Sequence, residues 1–455
     1  MTKVHFIAIG GAVMHNLAIA LFKKGYSVTG SDDEIFEPSK SRLQKYGLLP
    51  PVEGWDAARI TADIDTVILG MHARADNQEL ERARELGLTI KSFPEYLYEQ
   101  TAGKKRIVVA GSHGKTTTTA MIMHVLRHAG VAFDYMVGSS IEGFETMTGL
   151  SEDSEIAVFE GDEYLTSPVD RRPKFHLYRP DIAVITGIAW DHMNVFPTFD
   201  NYILQFRIFA DTITENGTLI YFRDDNEVEG IAAGARADIK RIPYSTHAYF
   251  RNKTGLYAAS VSRTVPINFF GEHNMQNMSA AREACLAAGI AEDIFYDAIA
   301  SFPGTSKRLQ KIMETGKGIV YLDFAHAPSK VRATIDAVSE RYQGREIIAC
   351  LELHTFSSLS SEFIQQYRGT MDKATRAFVY FNPHALLMKK LPMLSEETVR
   401  ESFGMENIGV FTDSATMFRS VKELELKNPV YLLMSSGDFG GTDIAKFAQE
   451  ILSNK

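Results

Sequence analysis

Cysteine is almost absent from this sequence. The chain of 455 residues contains two, Cys285 and Cys350, and no Cys-x-x-Cys pair. This scarcity excludes a disulfide framework and a cysteine-based zinc site, and it favours a reducing compartment. Long apolar runs are also missing, since none reaches the ~18 residues that a membrane-spanning helix needs. The apolar stretch at residues 4–13 has no basic leader, so we expect no signal peptide and a cytoplasmic location.

Positive charge is in deficit. Lysine and arginine number 48 against 57 aspartates and glutamates, which gives a net charge of -9. This balance argues against a protein that coats nucleic acid or binds an anionic membrane, so we expect neither partner. Small anionic ligands remain compatible with it, because backbone N–H groups hold them locally.

Three stretches of the chain alternate strand-like and helix-like patterns, which predicts an α/β protein with largely parallel sheets. A polar, glycine-containing break at residues 99–106 separates the first stretch from the second. Residues 223–274 are predicted to be β-rich and antiparallel, and a third α/β unit is expected after "SFPGTSKRLQKI". We therefore predict three domains, at residues 1–103, 104–311 and 312–455.

The first stretch contains a strand, the turn "IGGAVMHN" and a helix, a geometry that presents backbone N–H groups to a diphosphate. Asp32 lies 22 residues after Gly10, where a ribose-binding acid is expected. The G-x-G-x-x-G register is poor, because Ala8 and Val13 occupy its outer positions. This segment alone is compatible with a nucleotide site, with an NAD-dependent oxidoreductase, or with a turn that binds nothing.

A second turn, "GSHGKTTTT", follows the apolar run "RIVVA". A lysine directly after the glycine, here Lys115, can reach the β- and γ-phosphates of ATP, and the hydroxyl of Thr116 can ligate Mg²⁺. The loop departs from the usual phosphate-binding template, because Val109 stands where that template has glycine. We expect an ATP site here, the alternative being an exposed helix start.

Two later segments offer ligands for a divalent cation. In "AVFEGDEY", Glu160 ends an apolar run and is followed by Asp162 and Glu163; in "GIAWDHMNVF", Asp191 and His192 follow another. Carboxylate and imidazole groups at strand ends can bind a cation that bridges ATP to a second substrate. Each segment alone is also compatible with a helix cap or a solvated loop.

At this point the sequence resembles the Mur ligases, the ATP-dependent amide-forming enzymes of bacterial peptidoglycan metabolism. The resemblance covers nearly the whole chain. It rests on seven motifs in order, which are "GSHGKTTTT", "FEGDEY", "WDHMNVF", "GEHNMQN", "FPGTSKRLQ", "DFAHAPSK" and "MSSGDFGG".

The resemblance implies a Rossmann-like N-terminal domain that binds a UDP-sugar, a central P-loop ATPase domain, and a Rossmann-like C-terminal domain that receives an amino acid or peptide. It implies ATP and Mg²⁺ as cofactors and assigns Lys115, Glu160, His192 and Arg308 to catalysis. Thr116, Glu160 and His192 would bind metal. The UDP-sugar would contact Gly10, Gly11, Ser31 and Asp32. The nucleotide would contact Gly111, Ser112, His113, Gly114, Lys115, Thr116, Thr117, Asn274, Asn277, Arg308, Asp323 and His326.

The resemblance also narrows the substrates to UDP-N-acetylmuramate and an amine. "GDEYLTSPVDRRPKF" and "MSSGDFGG" are similar to the ligase of peptidoglycan recycling, which attaches the tripeptide L-Ala-γ-D-Glu-meso-diaminopimelate. "LELHTFSS" is instead similar to ligases that add L-alanine, and "DFAHAP" has Ala327 where both usually have histidine. We expect the tripeptide ligase, with the L-alanine ligase as the alternative and an NAD-dependent oxidoreductase as the alternative outside the family. The sequence does not predict an oligomeric state.

Overall fold

The computed structural model describes residues 1–260 and 263–453. The described chain divides into two compact units. The first comprises Met1–Ile188, Ile203–Ser245 and Asn277–Ile299, and the second comprises Ala189–Tyr202, Thr246–Gln276 and the chain from Ala300 onward.

The first hundred residues of the first unit form a parallel sheet of four strands, in the order β2-β1-β3-β4. Its elements are β1 (Lys3–Ile7), α1 (Ala12–Lys23), β2 (Ser27–Ser31), α2 (Ser39–Lys45), β3 (Thr66–Leu69), α3 (Gln78–Glu85), β4 (Thr89–Ser92) and α4 (Phe93–Gln100). Because the strands are parallel, their carboxyl ends meet at one edge. The turn after β1 therefore lies beside the residues that follow β2.

The rest of the first unit is built on a seven-stranded sheet in the order β11-β10-β9-β5-β8-β6-β7. β7 pairs antiparallel with β6, and the other neighbours pair in parallel. The strands are β5 (Lys105–Ala110), β6 (Phe133–Met136), β7 (Thr148–Gly149), β8 (Ile156–Glu160), β9 (Ile182–Ile185), β10 (Thr218–Phe222) and β11 (Lys240–Tyr244). The helices in this part of the chain are α5 (Lys115–His128), α6 (Phe199–Asp211), α7 (Asn226–Ala233), α8 (Glu272–Ala287) and α9 (Glu292–Ile299). The division between the units falls within α6 and within α8.

The second unit contains an antiparallel sheet of three strands and a mixed sheet of six, in the order β15-β16-β20-β17-β18-β19. Its strands are β12 (Tyr249–Asn252), β13 (Gly255–Ala259), β14 (Thr264–Ile267), β15 (Gln310–Thr315), β16 (Gly318–Asp323), β17 (Ile347–Leu353), β18 (Arg376–Phe381), β19 (Ile408–Phe411) and β20 (Val430–Met434). Its helices are α10 (Pro328–Arg341), α11 (Pro383–Met388), α12 (Glu396–Phe403), α13 (Ser414–Lys422) and α14 (Ile444–Ser453).

The two faces of the six-stranded sheet carry separate hydrophobic cores. After β17 the chain packs Leu359 and Phe363 into the core on one face, and after β20 it packs Phe439 and Phe447 into the core on the other. Adjacent parallel strands whose connections leave toward opposite faces open a crevice at their carboxyl ends. The order and connections of β17 and β20 meet this condition, so a crevice is expected at their carboxyl ends.

The α/β class predicted from the sequence is confirmed, and the strands expected in "GIVYLDFA", "EIIACLEL", "AFVYFN" and "PVYLLMS" are β16, β17, β18 and β20. The antiparallel prediction for residues 223–274 is right for β12 to β14 and wrong before them. That part contains α7 and the parallel strand β11. The carboxylate of Asp225 accepts from the N–H groups of Glu227 and Val228, a helix cap that the prediction overlooked. The three domain boundaries stay predictions.

Neither a long apolar helix nor an accessible cysteine occurs in the part of the chain that the structure describes. No helix within residues 1–260 and 263–453 is both long enough and apolar enough to cross a membrane. Cys285 on α8 and Cys350 on β17 are fully buried, and burial raises the pKa of both thiols well above the ordinary value.

Arg106 on β5 ties the start of the seven-stranded sheet to the chain around it. Its guanidinium donates to the carbonyls of Thr101, Ala102, Lys104, Tyr178 and Arg179, and its N–H donates to Asp181 at 2.8 Å. The side chain is buried, and so are Thr101 and Tyr178, so the carbonyls of these two residues have no easy replacement partner.

We expect Arg106→Met to lower the free energy of unfolding by about 3 kcal/mol, because it leaves buried carbonyls without donors. Lys105→Met is the matched control, since the neighbouring lysine is exposed and should change stability by less than about 0.5 kcal/mol. Urea denaturation followed by circular dichroism measures both. Equal losses in the two variants would contradict this role for Arg106.

Candidate functional site

The glycine turn after β5 has the backbone geometry of an anion site. Gly111 has φ +131° and Gly114 has φ +77°, values that favour glycine. α5 begins at Lys115, and no side chain caps its N-terminus. A helix N-terminus behind a glycine turn directs backbone N–H groups and the positive end of the helix dipole at an anion. The geometry suits a phosphate group.

The two residues that follow the neighbouring strand β9 form hydrogen bonds with this turn. The N–H of Ser112 donates to the carbonyl of Gly187 at 2.8 Å, and the hydroxyl of Thr186 donates to the carbonyl of His113. A side chain on Gly111 would collide with Thr186, and one on Gly114 would collide with the amide oxygen of Asn277 on α8. The turn therefore requires glycine at both positions.

Lys115 is largely buried and lies among carboxylates. Its ammonium lies 2.8 Å from a carboxylate oxygen of Glu163 and also donates to the carbonyl of Gly111. Burial acts to lower the pKa of Lys115, but the carboxylates of Glu163, Asp162 and Glu160 outweigh it and hold the pKa above its ordinary value. The lysine is therefore a fixed positive charge at the mouth of the turn.

Thr116 and Glu160 meet directly. The threonine hydroxyl donates to Oε1 of Glu160 at 2.9 Å, and the N–H of Gly138 donates to Oε2 at 2.8 Å. Thr117 is buried one residue further along α5. Asn277 lies near the same helix start, where its amide oxygen accepts from Thr118 at 3.4 Å.

The first glycine turn is linked to the end of β2. The N–H of Gly10 donates to the carboxylate of Asp32 at 2.7 Å. Burial and the neighbouring Asp33 raise the pKa of Asp32 to about 7, against the opposing effect of the Gly10 N–H. Gly11 occupies the N-cap position just before α1, and no side chain caps the helix. Ser31 is buried, and its hydroxyl donates to Glu79.

The second unit holds another group of predicted residues. His192 has φ +54°, and its N–H donates to Asp191 at 2.8 Å. Lys330 lies 3.3 Å from the same carboxylate. Burial would raise the pKa of Asp191, but Lys330, His192 and His326 hold it well below its ordinary range. Burial, together with Lys330, lowers the pKa of His326 to about 3, so its ring is neutral.

The remaining predicted residues surround the start of α10 or the start of α8. The carboxylate of Asp323 accepts from the N–H groups of Leu309 at 2.6 Å and Ala325 at 2.7 Å. The guanidinium of Arg308 lies 4.5 Å from the ring centre of Phe324. On α8, the side-chain amide of Asn274 donates to the carbonyl of Phe270 at 2.8 Å.

Sequence reasoning missed three polar contacts at strand ends. The first is the N–H of Gly138, for which the glycine after β6 was the available signal. The second is the pairing of Lys174 with Asp162 at 2.6 Å. The third is in the β17–β20 crevice, where buried Glu352 accepts from Ser435 and from the N–H of Phe439, beside His354 at 3.7 Å. More than 80 residues separate Glu352 from Ser435 along the chain, so no local pattern signals that contact.

Comparison with known proteins gives matches to two family models and to individual relatives. Residues 3–105 match the catalytic domain of the Mur ligase family, and residues 109–285 match the Mur ligase middle domain. The UDP-N-acetylmuramate--L-alanine ligase of Limosilactobacillus reuteri strain DSM 20016 is 30% identical over 95% of this chain and 96% of its own length.

Two solved structures are similar over most or all of their length. UDP-N-acetylmuramate-alanine ligase MurC from Thermotoga maritima superposes with a TM-score of 0.73 at 20% identity, covering 100% of both chains. The UDP-N-acetylmuramate:L-alanyl-gamma-D-glutamyl-meso-diaminopimelate ligase from Neisseria meningitides has a TM-score of 0.59 at 27% identity, covering 66% of this chain and 98% of that one. With the ordered motifs and the lysine-bearing glycine turn, these matches identify the chain as a member of the Mur ligase family, whose members are ATP-dependent ligases.

Proposed function

We propose that this chain joins the tripeptide L-Ala-γ-D-Glu-meso-diaminopimelate to the carboxylate of UDP-N-acetylmuramate, with cleavage of ATP, in peptidoglycan recycling. The observation that carries the ligase part is the grouping of Lys115, Thr116 and Glu160 at a glycine turn that opens a helix. The predicted cytoplasmic location follows from that role and stays a prediction.

ATP suits the turn after β5 on charge and on shape. The triphosphate is strongly anionic, and Lys115 together with the N-terminus of α5 supplies positive potential. Gly111 and Gly114 let the backbone approach the phosphates closely. We propose that Ser112, His113 and Thr117 complete this cradle. Asn274, Asn277, Arg308, Asp323 and His326 are proposed for the rest of the nucleotide.

The donors at this turn suit Mg²⁺. Thr116 and Glu160 offer a hydroxyl and a carboxylate, which are hard oxygen ligands. No cluster of three or more histidines, cysteines, aspartates or glutamates suited to a metal occurs among the residues that the structure describes. Mg²⁺ commonly takes one or two protein ligands and completes its shell with water and phosphate oxygens. When bound, it would neutralise phosphate charge, and we propose His192 for a second such ion.

The reaction follows from the charges of the substrates. A carboxylate oxygen of the muramate attacks the γ-phosphorus of ATP. The bond between that phosphorus and the oxygen that bridges it to the β-phosphorus breaks, ADP leaves with the electron pair, and an acyl phosphate forms. The amine then attacks the acyl carbon, loses a proton and expels phosphate. Both partners of the first step are anions, so the fixed charge of Lys115 lowers the repulsion between them.

The UDP part of the substrate is proposed to bind at the first glycine turn. Gly10 and Gly11 lie in the turn between the buried strand β1 and the first residue of α1, a position that favours a diphosphate. Asp32 would accept from the ribose hydroxyls. Ser31 is proposed to support this site, with its hydroxyl held by Glu79.

The choice of amine rests on motifs. The tripeptide is favoured by "GDEYLTSPVDRRPKF" and "MSSGDFGG", and by the likeness to the Neisseria ligase named above. L-alanine is the second candidate, favoured by "LELHTFSS" and by the name of the Limosilactobacillus relative. We propose that the β17–β20 crevice, which contains Glu352 and His354, receives the amine substrate.

We expect phosphate release from ATP, Mg²⁺ and UDP-N-acetylmuramate when the tripeptide is added, with a muramyl-tripeptide product detected by mass spectrometry. Lys115→Met is the control and should release no phosphate. Release with L-alanine alone would assign the second candidate. The absence of phosphate release with either amine would contradict the proposed function.

A second expectation concerns the turn itself. Gly114→Ala should weaken the binding of ADP at least about tenfold, because its methyl group meets Asn277 and distorts the phosphate cradle. Gly130→Ala is the matched control, since that glycine has φ +70° but nothing within 4 Å of a new Cβ. Both variants should lose about 1 kcal/mol of stability from the left-handed backbone. Isothermal titration calorimetry that finds equal ADP affinity in both would refute the assignment.

The third expectation is a pH dependence at Asp32. With a pKa of about 7, the Asp32 carboxyl is mainly ionised above that pH and mainly protonated below it. Ribose hydroxyls donate to the ionised form, so affinity for UDP-N-acetylmuramate should rise roughly tenfold between about pH 6 and about pH 8. Asp32→Asn should bind more weakly and show little pH dependence. A parallel slope in the variant would assign the titration to another group.

A further inference from the structure

The connection between β6 and β7, residues 137–147, begins at the carboxylate that the proposed function gives to Mg²⁺. The N–H of Gly138 donates to Oε2 of Glu160 at 2.8 Å, and a Cβ at this position would lie 3.2 Å from the same carboxylate. The hydroxyl of Thr116 holds the other oxygen. We refer to residues 137–147 as the β6–β7 loop.

The far side of the loop is anchored to the first sheet and its helices. Glu145 accepts from Lys23 on α1 at 2.8 Å, from Tyr46 at 2.6 Å, and from Lys45 on α2. The ion-paired side chains are exposed, so each single ion pair adds little stability. Three donors on one carboxylate nevertheless fix where the tip of the loop lies.

A hydrogen bond to a buried side chain of α1 holds the last residue of the loop, Met147. The side-chain oxygen of Asn16 accepts from the N–H of Met147 at 2.9 Å, and its amide donates to the carbonyl of Ala12. Asn16 is fully buried near the start of α1, one turn after Gly11. The Nδ1–H of its neighbour His15 donates to the carbonyl of Gly11 at 2.9 Å.

The loop is also stiff within itself. The guanidinium of Arg127 lies 3.6 Å from the ring centre of Phe144 and donates to the carbonyl of Gly143 at 3.0 Å. The ring of Phe144 packs against Tyr135 on β6 at 4.9 Å between centroids. A short loop held at its base, its tip and its return cannot shift at one point without straining the others.

We propose that Glu145 and Asn16 are positioning residues for Glu160, acting through the β6–β7 loop and the N–H of Gly138. In this way the loop connects the orientation of the Glu160 carboxylate to α1, the helix that begins after the proposed UDP-sugar turn. This proposal rests on the proposed role of Glu160 toward Mg²⁺. Groups that orient a metal-binding carboxylate commonly change metal affinity when they are lost.

The test is a charge reversal at the tip of the loop. In Glu145→Lys, attraction to Lys23 and Lys45 becomes repulsion, and the tip should leave the first sheet. Glu142→Lys is the matched control, because Glu142 is exposed on the same loop three residues earlier. The double variant Glu145→Lys with Lys45→Glu restores an opposite-charge pair and serves as the rescue.

Two measurements are made on the full-length chain. Amide hydrogen exchange reports the Gly138 N–H, which should exchange at least about tenfold faster in Glu145→Lys than in the wild type. Titration with Mn²⁺ in the presence of ADP, followed by electron paramagnetic resonance, should show affinity weakened at least about threefold. The rescue variant should recover much of both, and Glu142→Lys should resemble the wild type.

Unchanged exchange at Gly138 in Glu145→Lys would overturn the proposal, and so would weaker Mn²⁺ binding without faster exchange. Glu160→Gln separates this failure from that of the proposed function. If that variant binds Mn²⁺ as the wild type does, Glu160 is not a metal ligand and the proposed function loses its metal site. If it loses Mn²⁺ while Glu145→Lys does not, only the positioning role is wrong.

Discussion

The largely buried ammonium of Lys115 imposes the main electrostatic constraint on the first unit. A cation that is mostly shielded from water needs partners, and the three carboxylates of Glu163, Asp162 and Glu160 exceed the charge of Lys115 and of Lys174, which pairs with Asp162. The surplus makes the site receptive to further cations, while the glycine turn and the N-terminus of α5 remain receptive to an anion. A bound metal and a polyphosphate arriving together would satisfy both requirements.

Parallel sheets explain why the candidate residues gather without being near in sequence. Glu160 ends β8, the glycine turn follows β5, and these strands are neighbours. The same rule brings Asp32 to the first glycine turn across β1 and β2. In the second unit it brings Glu352 and Ser435 together across β17 and β20. Each polar cluster is a consequence of strand order and needs no special local sequence.

The sequence was a good guide where the signal is local. The strand–glycine turn–helix units and the strands of the third stretch follow from apolar patterning, and in the second turn also from Gly111 and Gly114, whose positive φ values favour glycine. Strand order could not be predicted from it, because β20 (Val430–Met434) inserts between β16, which ends at Asp323, and β17, which ends at Leu353. The contacts of Gly138 and Glu145 were missed for the same reason: each depends on a partner that is distant along the chain. The identity of the amine substrate is inferred from the motifs, because Glu352 and His354 alone do not distinguish an amino acid from a peptide.

The two cysteines have a practical consequence. Both thiols are enclosed in protein and disfavour the reactive thiolate, so maleimide reagents should leave the folded chain untouched. A pair of cysteines introduced on the surface, one in each compact unit, would then be the reactive sites. Fluorescent dyes attached there could follow the distance between the units through a catalytic cycle in single molecules, without first removing a native side chain from α8 or β17.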